Sequence, residues 1–518
     1  MPDSNRLMYS RGRRLLRCPL LVLAGGVQTL AFAPFFFWPA AIISFLVLLP
    51  LCLHRDPKGL FRDGWLIGLG LFGTGASWVY VSIHEYSGTP APLAVLMTLV
   101  FVAGLALFPA IAFWCWGKLG GHHGHRRLWL FPAVWVLMDW VRGWLLTGFP
   151  WLYVGTAQTD GPLAGWLPVL GVHGATFLTA GASVLLLLAI TEGWQRRPRT
   201  ALPALGIAVL PWLAGPFLQP IDWTHPNGEA LTVAAVQGNI SQHDKWDPEK
   251  MRAQIRTYRE LSEPLWDRDL ILWPETAIPA TQGQAAPILD AIETRAMETD
   301  TAFISGIPWY GDTPHYPEPV FHNSMITLGR AQGTYHKQRL VPFGEYVPFE
   351  SLLRGTIEFL SLPMSVFRPG PENQSPLRLA GASVHPFICY EITYADFVAR
   401  NSKDTGFLLT VSNDAWFGHS IGPFQHQQIA RTRALETGRS LLRGTNNGIT
   451  AIVDSKGHVV EKAAHYERDV LTGSIQPVTG QTPFMLAGSW PILTLAAIMI
   501  VFGRQRQMRD DGAQTASS

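Results

Sequence analysis

The sequence predicts a polytopic α-helical membrane protein that carries one extramembrane α/β domain, and three observations predict it. Charge is the first: 48% of the 518 residues are hydrophobic and 15% charged, against roughly 25% charged in an average globular protein. The net charge of +2 is a cancellation, with residues 1–221 carrying +8, 222–483 carrying −7 and 484–518 carrying +1. The second observation is a set of stretches without Asp, Glu, Lys or Arg, at 18–54, 64–84, 86–117, 161–191 and 200–221. The third lies between 231 and 460, where short β-branched runs alternate with segments of helical spacing. Together these exclude a wholly soluble enzyme, a disordered chain and a nucleic-acid binder with a dominant basic face.

About 20 apolar residues carry a helix across roughly 30 Å of hydrocarbon, so 64–83, 92–116, 166–190 and 201–218 each read as one crossing. Residues 18–53 are too long for one helix, and Pro34 and Pro39 bracket an aromatic patch, Phe35–Trp38, in their middle. A hairpin of two short helices fits them. The 128–146 span holds Asp139 and Arg142, three apart on one helical face, where pairing reduces the cost of charge at membrane depth. A last crossing at 484–503 brings the expectation to eight.

Basic residues set the orientation. Arg6, Arg11, Arg13, Arg14 and Arg17, then Arg55, Lys58 and Arg62, then Lys118, Arg126 and Arg127 fall in the tail and in alternate connections. Arg196, Arg197, Arg199, Arg504, Arg506 and Arg509 continue the series, while the loops at 84–89 and 147–165 have no Lys or Arg. Both termini are therefore expected in the cytoplasm. The division is 1–221 as a membrane domain of seven helices, 222–483 as an extracytoplasmic domain, and 484–518 as the eighth helix and a cytoplasmic tail. The first apolar stretch is long and lacks a small-residue cleavage site, so it reads as a retained span rather than a signal peptide.

In the outer domain, 231–236, 270–273, 302–307, 324–328, 384–390 and 407–411 read as strands, and 248–265, 286–298 and 423–443 as helices. Residues 450–454 and 458–460 read as a hairpin around Ser455–Gly457. Strands alternating with helices give one α/β unit of about 250 residues. Of four cysteines, Cys18, Cys52 and Cys115 lie in or beside spans and only Cys389 falls in this domain, which therefore has no internal disulfide. His122, His123 and His125 sit in a Gly-rich loop without Cys or carboxylate companions and read as a solvated turn, not a metal site.

Three strand ends hold ionisable residues just past apolar runs: Leu-Trp-Pro-Glu-Thr ending at Glu275 and Thr276, Tyr-His-Lys-Gln-Arg-Leu-Val-Pro-Phe-Gly-Glu from Tyr335 through Lys337 to Glu345, and Ile-Cys-Tyr-Glu from Ile388 to Glu391. Sites in open α/β sheets form at the carboxyl ends of strands. Taken singly, Glu275 also suits a helix cap, Lys337 a surface ammonium and Cys389 a small core residue. A shared site requires all three to converge.

These residues, in this order and setting, resemble the carbon–nitrogen hydrolase (nitrilase) superfamily, and with the spans around the domain nearly the whole chain resembles the apolipoprotein N-acyltransferase family. Val-Pro-Phe-Gly-Glu-Tyr-Val-Pro at 341–348, Val-Ser-Asn-Asp-Ala-Trp-Phe-Gly at 411–418, Thr-Asn-Asn-Gly at 445–448, Gln-Gly-Asn at 237–239 and Thr-Gly-Phe-Pro-Trp at 147–151 carry the likeness. The resemblance implies an αββα sandwich, with Cys389 as nucleophile, Glu275 as general base and Lys337 as electrostatic stabiliser. It further implies Glu345, Tyr390 and Glu391 as a supporting network, with the Tyr390 N–H as an oxyanion donor, and Trp246, Trp416 and Phe417 as substrate contacts.

The implied reaction transfers an acyl chain from the sn-1 position of a glycerophospholipid, through S-acyl-cysteine, to the α-amino group of a diacylated apolipoprotein. It needs no cofactor, metal or nucleic acid, and implies a monomer in the inner membrane. The chemistry suits the residues: a thiol with an ordinary pKa near 8.5 needs a base or a neighbouring cation to become a nucleophile at neutral pH. A membrane-bound nitrilase-type amidase that releases acid to water would use the same triad, but one span would tether it. A polytopic transporter would need midplane polar groups, and only Asp139 and Arg142 qualify.

Overall fold

The computed structural model describes residues 16–120, 124–194, 197–313, 315–347, 366–379 and 381–516. Arg6, Arg11, Arg13, Arg14, His122, His123, Arg196 and Pro348 lie outside the described residues. The chain forms two compact units, one from 1–80, 92–221 and 489–518, the other from 81–91 and 222–488.

Among the described residues, Ala91–Gly120, Pro162–Gly193 and Pro198–Leu218 are long and apolar enough to cross a membrane; Pro57–Gly75 and Val79–Tyr86 make a fourth if counted as one bent span. Leu16–Ala31, Pro39–Cys52 and Trp490–Arg504 are shorter apolar helices. Two expected spans are therefore divided. The 64–83 stretch breaks after Gly75, and the 484–503 stretch is cut where Gly488 takes φ +59 between the helices Pro483–Ala487 and Trp490–Ala516. The helix Gly124–Arg142 ends at the arginine that was expected inside a span. Arg142 pairs with Asp139 at 2.8 Å, and its other amino group donates to the Phe149 and Trp151 carbonyls at 2.7 and 2.6 Å. The pair thus neutralises a buried charge and fixes the 147–151 loop as well.

Among the described residues, the second unit holds fourteen strands. β1 (His225–Pro226) pairs with β14 (Val478–Thr479) in a small ribbon. β2 (Leu231–Gln237), β3 (Leu270–Leu272), β4 (Ala302–Gly311), β5 (Val320–Gly329), β6 (Thr334–His336) and β13 (Asp469–Ile475) build one six-stranded sheet in the order β13-β2-β3-β4-β5-β6. β7 (Leu377–Leu379), β8 (Ala382–Ile388), β9 (Phe407–Ser412), β10 (Leu441–Thr445), β11 (Ala451–Val453) and β12 (Val459–Lys462) build the other, in the order β12-β11-β10-β9-β8-β7. The strands β2, β3 and β4 run parallel, as do β8, β9 and β10.

Period-two alternation makes the layers. Val233, Leu270, Ile304, Val384, Leu409 and Leu442 meet between the sheets. Ala234, Val236, Ile271 and Phe303 face Ile255 and Tyr258 of the helix Pro248–Ser262 and Ile292 of Gln282–Glu298. Phe387, Leu408 and Leu441 face Phe397 and Val398 of Ala395–Asn401 and Ala430 and Ala434 of Gly422–Thr437. The result is a helix–sheet–sheet–helix sandwich.

Two expected elements change here. The 384–390 run leaves the sheet at Ile388, because Cys389 takes φ +51, a left-handed conformation that costs a non-glycine residue energy. The 423–443 helix ends at Thr437, where Gly438 adopts a left-handed cap, and the apolar residues beyond it enter β10. Leu442 is fully buried between the sheets. Leu442→Ala should cost about 2–5 kcal/mol of sandwich stability, measured as a lower Tm of the detergent-solubilised protein by tryptophan fluorescence.

Candidate active site

Glu275, Lys337 and Cys389 follow β3, β6 and β8, at strand ends of both sheets. The loop carrying Glu275 turns back at Thr276, with φ +49. Gly306 in β4 lets it pass: a Cβ there would lie 2.4 Å from Thr276 N and 2.6 Å from Pro274 O. Lys337 is set beside β5, its N–H donating to the Asn323 carbonyl at 2.8 Å.

The Lys337 ammonium is 1% exposed. It lies 2.8 Å from Glu345 Oε2 and 3.5 Å from Glu275 Oε1. Asn323 Nδ2 donates to Oε1 of both carboxylates at 2.8 Å. Glu275 Oε2 accepts the Asn413 N–H, and Glu345 Oε2 the Val341 N–H, each at 2.8 Å. Burial disfavours the Lys337 charge, but Glu345 and Glu275, with Cys389, raise its pKa above the ordinary lysine value. A second ammonium, buried Lys245, donates to the Glu275 carbonyl at 3.0 Å. Burial lowers it to about 8 against the pull of Glu275 and Cys389.

Burial and the Glu275 carboxylate push the Cys389 thiol well above its usual range, while Lys337 and a hydrogen bond with Ser412 pull it down. A thiol shifted in this direction needs a base to receive its proton before it can act as a nucleophile. Glu275 and Lys337 both act electrostatically on this sulfur, so the three strand ends share one site.

Glu391 organises the turn behind the cysteine. Its Oε2 accepts the Ile388 N–H at 2.8 Å, and its Oε1 accepts the Tyr335 hydroxyl at 2.8 Å, the Gln338 N–H at 2.7 Å and the Arg339 N–H at 3.2 Å. One carboxylate thus ties the cysteine turn to the lysine loop. Burial raises it to about 7, against its donors and Lys337.

Tyr390 lies in the 3-10 turn Cys389–Thr393, its ring 5.4 Å from Tyr394. Trp416 and Phe417 occupy the 3-10 turn Asp414–Phe417 after β9. Trp416 packs 5.8 Å from Tyr86, whose ring is also 5.3 Å from His243, and the Ser82 hydroxyl donates to the Trp416 carbonyl at 2.7 Å. Trp246 is half-buried, next to Lys245 in the chain.

The sequence reading missed Asn323, Lys245, Asn413 and the 81–91 segment. Asn323 carried a signal, the polar triplet His322-Asn323-Ser324 inside an otherwise apolar strand. Two quoted motifs acquire contacts here. Asn446 of Thr-Asn-Asn-Gly donates to Asn413 Oδ1 at 3.0 Å and to the Ile240 carbonyl at 2.7 Å, so it braces the residue that binds Glu275. Gly448 leaves room for Asp414, since a Cβ there would lie 2.2 Å from Asp414 Oδ2.

Because every group around Glu391 donates, Glu391→Gln turns one acceptor into a donor with no acceptor to face. Activity should fall at least about tenfold. In the wild type, lowering pH through about 7 protonates this carboxyl and should reduce activity, as read from a pH–rate profile.

Family models match two stretches: the apolipoprotein N-acyltransferase N-terminal domain over residues 24–185 and carbon-nitrogen hydrolase over 232–484. An apolipoprotein N-acyltransferase of Pseudomonas aeruginosa is 44% identical over 497 residues, 94% of this chain and 96% of its own. One of Coxiella burnetii is 39% identical over 488 residues, 93% of this chain and 98% of its own. Among solved structures, Saccharomyces cerevisiae Nit3, of branch 10 of the nitrilase superfamily, aligns with 48% of this chain and 92% of its own at 17% identity and a TM-score of 0.37. On the length and identity of the sequence matches, the chain belongs to the apolipoprotein N-acyltransferase family.

Proposed function

We propose that Cys389 is the nucleophile of an N-acyltransferase, with Glu275 as general base and Lys337 as the cation that stabilises developing negative charge. The observation that carries the reading is a thiol in a left-handed turn at a strand end, acted on by a buried ammonium and carboxylate that are 3.5 Å apart. The Cys389 thiol gives its proton to Glu275 as sulfur attacks the sn-1 ester carbonyl of a glycerophospholipid. Charge builds on the carbonyl oxygen, opposite Lys337 and the Tyr390 N–H. The carbon–oxygen bond then breaks, and Glu275 returns the proton to the leaving lysophospholipid. In the second half, the α-amino group of a diacylglyceryl-modified N-terminal cysteine attacks the thioester, a carbon–nitrogen bond forms as the carbon–sulfur bond breaks, and the proton lost by the amine passes through Glu275 to the Cys389 sulfur.

Glu345 holds Lys337, Glu391 fixes the turn, and Trp246, Trp416 and Phe417 contact substrate. Lipid substrates account for the large apolar unit, since one helix would tether a soluble amidase. The reading extends to eight crossings in the inner membrane, both termini cytoplasmic, residues 222–483 periplasmic and the enzyme monomeric.

Incubation with phospholipid alone should add one acyl mass to Cys389 in intact-protein mass spectrometry, and Cys389→Ala should abolish that adduct while the protein stays folded. Adding diacylated lipopeptide should discharge the adduct into amide. Discharge to water at the same rate would favour the amidase, and transfer by a folded Cys389→Ala protein would overturn the assignment.

A further inference from the structure

Joined to Cys389 through its carbonyl and through Ser412 lies a second charged cluster, to which the proposed triad assigns no role. Asp414, His426 and Arg443 are all fully buried. Arg443 Nη2 donates to Asp414 Oδ2 at 2.7 Å and stands 3.1 Å from His426 Nδ1. Asp414 Oδ1 accepts the Ser412 hydroxyl at 2.5 Å and lies 3.1 Å from His426 Nδ1. Arg443 Nε donates to the Ile449 carbonyl at 3.2 Å. The other imidazole nitrogen, Nε2, is 3.1 Å from the carbonyl oxygen of Cys389.

Chemistry assigns the proton on that last contact. A carbonyl oxygen only accepts, so Nε2 carries the hydrogen and donates it to Cys389. An arginine only donates, so Nδ1 can present its lone pair to Arg443. Burial and Arg443 lower the His426 pKa, against Asp414 and the Cys389 carbonyl, which raise it; and although burial opposes the Asp414 charge, Arg443 holds that carboxyl far below the usual range.

The consequence runs through the peptide bond. The Cys389 carbonyl and the Tyr390 N–H belong to one planar trans unit and point in opposite directions. Anchoring the oxygen therefore aims the hydrogen. We infer that His426, set by Arg443 and Asp414, is a positioning residue that holds the Cys389–Tyr390 peptide plane so that the Tyr390 N–H faces the oxygen of the tetrahedral intermediate. This rests on acyl transfer at Cys389 and assigns a function to a cluster that neither supplies the nucleophile nor receives its proton. His426 thus adds a side-chain contact from outside the 3-10 turn Cys389–Thr393 to a strained residue at its start.

The test separates attack on a carbonyl from simple thiol reactivity. Iodoacetamide alkylates Cys389 by displacement of iodide, which builds no oxyanion, whereas acylation by phosphatidylethanolamine in detergent micelles does. His426→Leu should slow acylation by about 10- to 100-fold, below the full loss of an oxyanion donor, while alkylation stays within about twofold of wild type. His426→Gln, which keeps an N–H donor at similar reach, should recover most of the acylation rate. Unchanged acylation in His426→Leu, or equal losses in acylation and alkylation, would overturn the inference. Failure of the wild type to acquire an acyl group on Cys389 would instead overturn the underlying reaction, so the two failures are distinct.

Discussion

The buried ammonium of Lys337 is the constraint to which the sandwich is built. An ion with 1% exposure is tolerated only where opposite charge and hydrogen bonds replace its water. Glu345 and Glu275 supply the charge, at 2.8 and 3.5 Å. Those carboxylates then need donors of their own, and Asn323, Val341 and the Asn413 N–H provide them. Asn413 is braced in turn by Asn446 and Gln242. Residues from both sheets are thus committed to one cation, which holds the strand ends in register.

That arrangement decides the chemistry. Glu345 and Glu275 favour a charged Lys337 ammonium, while burial and the Glu275 carboxylate favour a protonated Cys389 thiol. Lys245 adds a second buried cation on the backbone side of Glu275, bringing the immediate charges to two acids and two bases. The low-dielectric interior makes this balance count for more than it would in water.

The cysteine turn is the other half of the design. A non-glycine residue at φ +51 persists only if its surroundings over-determine it. Glu391 grips the Ile388 N–H on one side of the turn, and His426 grips the Cys389 carbonyl on the other. Each gripping residue is itself locked, Glu391 by Tyr335 and the 338–339 backbone, His426 by Arg443 and Asp414. The strain is held by buried polar contacts rather than by the turn's own sequence.

Much of this was legible in the chain. Apolar runs, their charge-free length and the alternation of β-branched with helical segments announced an apolar helical part and an α/β part, and residues past strand ends announced Glu275, Lys337 and Cys389, because these features depend on local periodicity. Tertiary structure alone decided the rest. Where helices break, at Gly75 and Gly488, depends on backbone conformations that hydropathy does not encode. Leu441–Thr445 became a strand because Gly438 closed the helix before it, and Asn323, Lys245 and His426 joined the site because sheet register and sandwich packing bring together residues as far apart in the chain as Asn446 and Ile240, 206 positions. A sequence states which groups exist; only the folded chain states which of them share the same few ångströms of low dielectric, and there their charges and protons are set.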